Sequence, residues 1–122
     1  MQLGMVGLGR MGSNLVRRLL PAGHECVVFD VNPGPVAALA AEGAIGADTL
    51  DALVAQLEKP RTVWIMVPAG AIAEQTVQDL SRRLESGDTI IDGGNTYYRD
   101  DIARAATIKG KGIHYMDVGT SG

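Results

Sequence analysis

Six short apolar runs punctuate this chain, and between them apolar residues recur at helical spacing. The runs are Met1–Val6, Cys26-Val27-Val28-Phe29, Ala44-Ile45-Gly46-Ala47, Thr62-Val63-Trp64-Ile65-Met66-Val67, Thr89-Ile90-Ile91-Asp92 and Ile113–Val118. Short continuous runs of this kind predict strands of a parallel sheet covered on both faces. After the first run, Met11, Leu15, Val16, Leu19 and Leu20 make one helical stripe, with Ser13, Asn14, Arg17 and Arg18 on the other face; Pro21-Ala22-Gly23 ends that helix. Pro33 and Pro35 suit the first turn of a helix running through Val36–Ala41 and ended by Gly43. Asp48 or Thr49 can cap a third helix with Leu50, Leu53, Val54 and Leu57 inside and Pro60 at its close. Ala73, Val77, Leu80 and Leu84 share one face of a fourth, which Gly87 ends. Thr96 can cap a fifth from Tyr97 to about Lys109, ended by Gly110. Strands alternating with helices predict a doubly wound, Rossmann-type α/β domain over residues 1–122, with strand order 3-2-1-4-5-6.

The junction of the first strand and first helix carries Gly7-Leu8-Gly9-Arg10-Met11-Gly12. A Gly-x-Gly-x-x-Gly has meaning only between a strand and a helix, with a second strand ending in an acid, and here Asp30 ends that strand. Gly7 lets the chain turn sharply, Gly9 lets a pyrophosphate approach the backbone, and Gly12 lets the helix pack near the strand. The helix N-terminus then offers unpaired N–H groups to an anion. Residues Gly7, Leu8, Gly9, Arg10, Met11 and Gly12 are therefore candidate cofactor contacts, with Arg10 either pairing with a phosphate or simply facing solvent. Asp30 can accept hydrogen bonds from both ribose hydroxyls of NAD and would repel a 2′-phosphate. No arginine follows in Val31-Asn32-Pro33-Gly34-Pro35 to hold that phosphate, so NAD is favoured over NADP. The fourth strand flanks the crevice where strand order reverses, so Val67-Pro68-Ala69 should lie beside the cofactor; alternatively Pro68 only terminates the strand.

Composition narrows the partners. A net charge of −3 argues against general nucleic-acid binding. No apolar run is long enough to span a membrane, and the strand pattern from the first residues leads us to expect no cleavable leader. The one cysteine, Cys26, excludes an internal disulfide framework, suits a reducing cytoplasm and reads as a small buried hydrophobe. His24 and His114 lack metal-like spacing, and Lys109 and Lys111 read as a solvated helix end.

A second chemical stretch follows the fifth strand. In Gly93-Gly94-Asn95 two glycines permit close backbone approach, and the Asn95 amide offers both donor and acceptor, for the nicotinamide end of a cofactor and a substrate hydroxyl. As a local pattern it also fits a simple turn. The segment Ile90-Ile91-Asp92-Gly93-Gly94-Asn95-Thr96-Tyr97-Tyr98-Arg99-Asp100 resembles the signature region of 6-phosphogluconate dehydrogenases. The opening glycine motif and the closing Val118-Gly119-Thr120-Ser121-Gly122 resemble that family too; the opening is shared with the wider β-hydroxyacid dehydrogenase group.

The resemblance implies that residues 7 to 12 and Val67-Pro68-Ala69 contact the cofactor. It implies that Asn95 meets cofactor and substrate, and that Ser121 and Gly122 begin a Ser-Gly-Gly loop holding the substrate, a phosphorylated sugar acid. Asp30-Val31-Asn32 resembles the NAD-preferring branch rather than the Asn-Arg-Thr of NADP users. The implied reaction oxidises 6-phosphogluconate at C3 and then releases CO₂ to give ribulose 5-phosphate, without a metal. The family's lysine base and glutamate proton donor fall beyond that loop, so this chain is expected to be the cofactor-binding part of a longer, homo-oligomeric cytoplasmic enzyme, inactive alone. A 3-hydroxyisobutyrate-type dehydrogenase, a nucleotide-sensing module without chemistry and an S-adenosylmethionine-dependent methyltransferase are the competing readings.

Overall fold

A computed structural model describes residues 1–67, 71–93 and 108–118. Within them the chain forms β1 (Gln2–Val6), α1 (Arg10–Leu19), β2 (Glu25–Phe29), α2 (Pro33–Ala41), β3 (Ile45–Gly46), α3 (Leu50–Ala55), β4 (Thr62–Ile65), α4 (Ala71–Arg83), β5 (Thr89–Asp92) and β6 (His114–Asp117). The strands make one six-stranded sheet in the order β3-β2-β1-β4-β5-β6, and every pairing is parallel. This is the order expected of a doubly wound sheet in which crossovers keep one hand.

The sheet has a core on each face. On one side Leu3, Met5, Cys26 and Val28 pack with Val16 and Leu39; on the other Val6, Val27, Val63, Ile65 and Ile90 pack with Leu53, Val77 and Leu80. Successive residues of β1 and β2 therefore enter opposite cores, which is why these strands read as unbroken apolar runs. Ala73, Val77, Leu80 and Leu84 are all buried, as their spacing predicts. Thr49 caps α3 through its hydroxyl, which accepts from Ala52 N at 3.0 Å, and Asn32 caps α2 in the same way from Gly34 N at 3.1 Å. Positive φ falls on Gly43 and Gly87, as expected of helix-ending turns, and on Gly112 rather than Gly110 in the turn before β6.

Two expectations for α1 are reversed. Met11 is half-exposed, whereas Ser13 is buried with Gly12 and Val16. The rotation of α1 follows Gly12, which is pressed against the Gly7 carbonyl, and turning that face inward carries Ser13 in and Met11 out. β4 is also shorter than its apolar run, because Met66 and Val67 continue past the last paired residue toward the strand's carboxyl end.

At the opposite edge of the sheet, Asp88 ties the chain segments that enter β4 and β5. It is 1% exposed and its carboxylate accepts from Arg61 N at 2.7 Å and Glu85 N at 2.8 Å, with the Arg61 guanidinium at 3.3 Å. A buried carboxylate supplied with donors in this way needs no functional explanation.

Candidate functional site

β1 lies between β2 and β4, so the chain's first crossover runs one way along the sheet and a later one the other; the crevice at this reversal opens at the carboxyl ends of the strands. The glycine loop fills its floor. Gly7 has φ +97° and donates to Phe29 O at 3.0 Å, while Met66 N donates to Val6 O at 2.8 Å, so the loop is stitched to β2 on one side and β4 on the other. A Cβ at Gly7 would stand 2.7 Å from Met66 O and 3.1 Å from Val67 Cγ1, which places Val67 directly beside the turn. A Cβ at Gly12 would fall onto the Gly7 carbonyl oxygen. A Cβ at Gly9 would meet nothing within 4 Å among the described residues. The three glycines thus answer three separate demands: left-handed backbone, close helix packing and open space above the main chain.

The N–H groups of Gly9, Arg10, Met11 and Gly12 have no hydrogen-bond partner among the described residues, and the N-cap Gly9 has no side chain to supply one. The first turn of α1 contains no acid and carries Arg10, which is exposed. A cation at that helix end is opposed by the helix dipole and favoured once an anion sits there. Free donors, open space and a nearby guanidinium fit the diphosphate of a dinucleotide.

Asp30 ends β2 beside this loop. Its Oδ2 accepts from Leu8 N at 2.6 Å and its Oδ1 from Asn32 N at 2.8 Å. Leu8 itself is buried. Each carboxylate oxygen keeps a second lone pair, so the group can still accept from a ligand hydroxyl while bracing the loop. Ser13 braces it from the other side, its hydroxyl donating to Leu8 O at 2.8 Å and its N–H to Gly9 O at 2.9 Å. Ser13 is absent from the sequence-predicted set. The one available signal was a hydroxyl directly after the third glycine, where the inward face begins.

On the far side of β4, Gly93 N donates to Ile65 O at 2.9 Å, and a Cβ there would collide with Trp64 Nε1 and lie 2.5 Å from Met66 Sδ. Asp92 is fully buried and its Oδ2 accepts from the Tyr115 hydroxyl at 2.8 Å. The structure thus gathers Gly7, Leu8, Gly9, Arg10, Met11, Gly12, Asp30 and Val67 around one crevice, with Gly93 on its continuing edge. Pro68, Ala69, Asn95, Tyr97, Tyr98, Arg99, Ser121 and Gly122 lie outside the described residues.

Known proteins resemble this chain in sequence and in fold. The chain is 44% identical, over all 122 residues, to an NAD(+)-dependent, decarboxylating 6-phosphogluconate dehydrogenase of Haloferax volcanii, and covers 40% of that enzyme. It superposes on Plasmodium falciparum 6-phosphogluconate dehydrogenase with a TM-score of 0.91 at 28% identity, covering 100% of this chain and 27% of that one. A Mycobacterium tuberculosis 3-hydroxyisobutyrate dehydrogenase gives 0.89 at 25% identity, covering 99% of this chain and 40% of that one. The chain spans about two fifths of the length of the first curated relatives it matches. A sequence model described as the NAD binding domain of 6-phosphogluconate dehydrogenase matches residues 2–122, and this chain belongs to that family.

Proposed function

We propose that this chain is the NAD-selective cofactor-binding part of an enzyme that oxidises and decarboxylates 6-phosphogluconate. The observation that carries the cofactor choice is Asp30, whose carboxylate is held against the glycine loop, 2.6 Å from Leu8 N. A 2′-phosphate brought to that position would meet a fixed negative charge, whereas the diol of NAD would meet acceptors. The name of the Haloferax volcanii relative specifies NAD(+), and that of the Plasmodium falciparum structure specifies NADP+, so the family name alone leaves the choice to local residues.

On this reading Gly9, Arg10, Met11 and Gly12 hold the diphosphate, Leu8 and Gly7 shape its seat, and Asp30 takes the adenosine ribose. Val67-Pro68-Ala69 runs along the cofactor, Asn95 bridges cofactor and substrate, and Ser121-Gly122 touches the substrate. The cofactor, when bound, supplies a hydride acceptor. The chain's own residues bind and orient it, and Asn95 orders the substrate hydroxyl with its amide. Substrate choice rests on the Asp92–Asp100 segment, which resembles 6-phosphogluconate dehydrogenases more than the 3-hydroxyisobutyrate type.

Titration of the chain with NAD and NADP by calorimetry tests the cofactor assignment: NAD binds at least about tenfold tighter, and Asp30→Asn narrows the gap by weakening NAD and admitting NADP. Tighter NADP binding by the unaltered chain overturns it. Oxidation of 6-phosphogluconate and of 3-hydroxyisobutyrate by a full-length enzyme containing this chain decides the substrate.

A further inference from the structure

We propose that Ser13 is a positioning residue that aims the diphosphate-binding amides of the glycine loop. The proposal rests on the reading of that loop as a dinucleotide cradle. Ser13 holds two consecutive loop carbonyls at once, Leu8 O through its hydroxyl at 2.8 Å and Gly9 O through its N–H at 2.9 Å. Both peptide units are trans, since Lys59-Pro60 is the only cis bond among the described residues. In a planar trans peptide the carbonyl and the following N–H point in opposite directions. Drawing Leu8 O toward α1 therefore turns the Gly9 N–H away from the helix, and drawing Gly9 O the same way turns out the Arg10 N–H. These are two of the four loop N–H groups that have no hydrogen-bond partner among the described residues.

Asp30 completes the restraint by accepting from Leu8 N at 2.6 Å, so residue 8 is held at both its N–H and its carbonyl. Gly9 has no side chain to limit its own rotation, and among the described residues nothing lies within 4 Å of where one would begin. Without an external restraint its peptide units would rotate freely at the point where the phosphate must land. Ser13 is 8% exposed and lies beneath the loop, so it orders the donors without touching the ligand. Donors fixed beforehand cost less entropy to use on binding.

The test compares ADP-ribose, which carries the diphosphate, with adenosine, which does not. In Ser13→Ala the affinity for ADP-ribose falls about tenfold, the scale of a buried hydrogen bond lost with its carbonyl left unpaired, while adenosine affinity stays within about twofold. In the free chain the Gly9 and Arg10 amide resonances shift or broaden, and those of β5 and β6 stay in place. Unchanged ADP-ribose affinity overturns the positioning role and leaves the cradle reading intact. An equal loss for both ligands also overturns it, since it marks general loosening. Failure of the unaltered chain to bind ADP-ribose or NAD removes the cradle reading and the proposal with it. If Ser13→Ala does not fold, Ser13→Cys keeps the size and a weaker donor, and a smaller loss confined to ADP-ribose is expected.

Discussion

Gly12 shows how one missing side chain can set both a helix and a site. A Cβ there would collide with the Gly7 carbonyl oxygen, which belongs to backbone and cannot rotate aside. Gly12→Ala must push α1 off the strand or break the turn, so it should destabilise the chain by about 2 kcal/mol or more. Urea unfolding should show a lower midpoint with an unchanged slope, whereas Gly9→Ala, with nothing within 4 Å among the described residues, should leave stability nearly untouched. An unshifted midpoint in Gly12→Ala would refute the packing account. The glycine pattern was legible because each position answers a steric demand that only glycine meets. Ser13 was not, because a serine in a helix ordinarily reads as polar and outward, and only the rotation forced by Gly12 turns it in.

Among the elements, the strands were legible and the helix faces less so. β2 was readable because a strand covered on both faces has no polar positions to interrupt it, and Cys26, fully buried in it, follows that logic. Burial, followed by the charge of Glu25, raises the Cys26 thiol above its ordinary range. The folded chain thus keeps a proton that the unfolded chain releases near pH ~8.5. Stability from this group is complete below that pH and falls as pH rises from there toward the folded value, because the native state then binds more protons than the unfolded one. Urea midpoints measured between about pH 8 and 9.5 should decline, and Cys26→Ala should flatten that decline whatever it does to the absolute midpoint. An identical slope in the variant would refute the assignment. Asp88 illustrates what the pattern could not convey: its role lies in donors from Arg61 and Glu85, a pairing across the sheet edge that spacing along the chain does not encode.

At the scale of the whole molecule, strand order was readable because alternating strands and helices with a fixed crossover hand leave few arrangements. The candidate site was readable where it coincides with that order, at the reversal between β2, β1 and β4, and less so where it depends on which way a peptide unit turns. The same order sets the distribution of stability. β1 is paired along its length to β2 and along most of it to β4, and residues 3 to 6 are buried. β3 has two residues and β6 a single described neighbour, with Met116 and Val118 exposed. Opening β1 requires separating both cores, whereas an edge strand can detach while the remainder stays paired. Amide hydrogen exchange should therefore give β1, β2 and β4 protection approaching the free energy of global unfolding, and β3 and β6 protection lower by orders of magnitude. Added NAD should extend the slowest class to the amides of residues 7 to 13, since a ligand in the reversal crevice couples the loop to the strands that hold it. Equal protection of β1 and β6 would mean that the two cores do not separate the strands into centre and edge. Protection of β1 without any NAD effect on the loop would place the cofactor elsewhere.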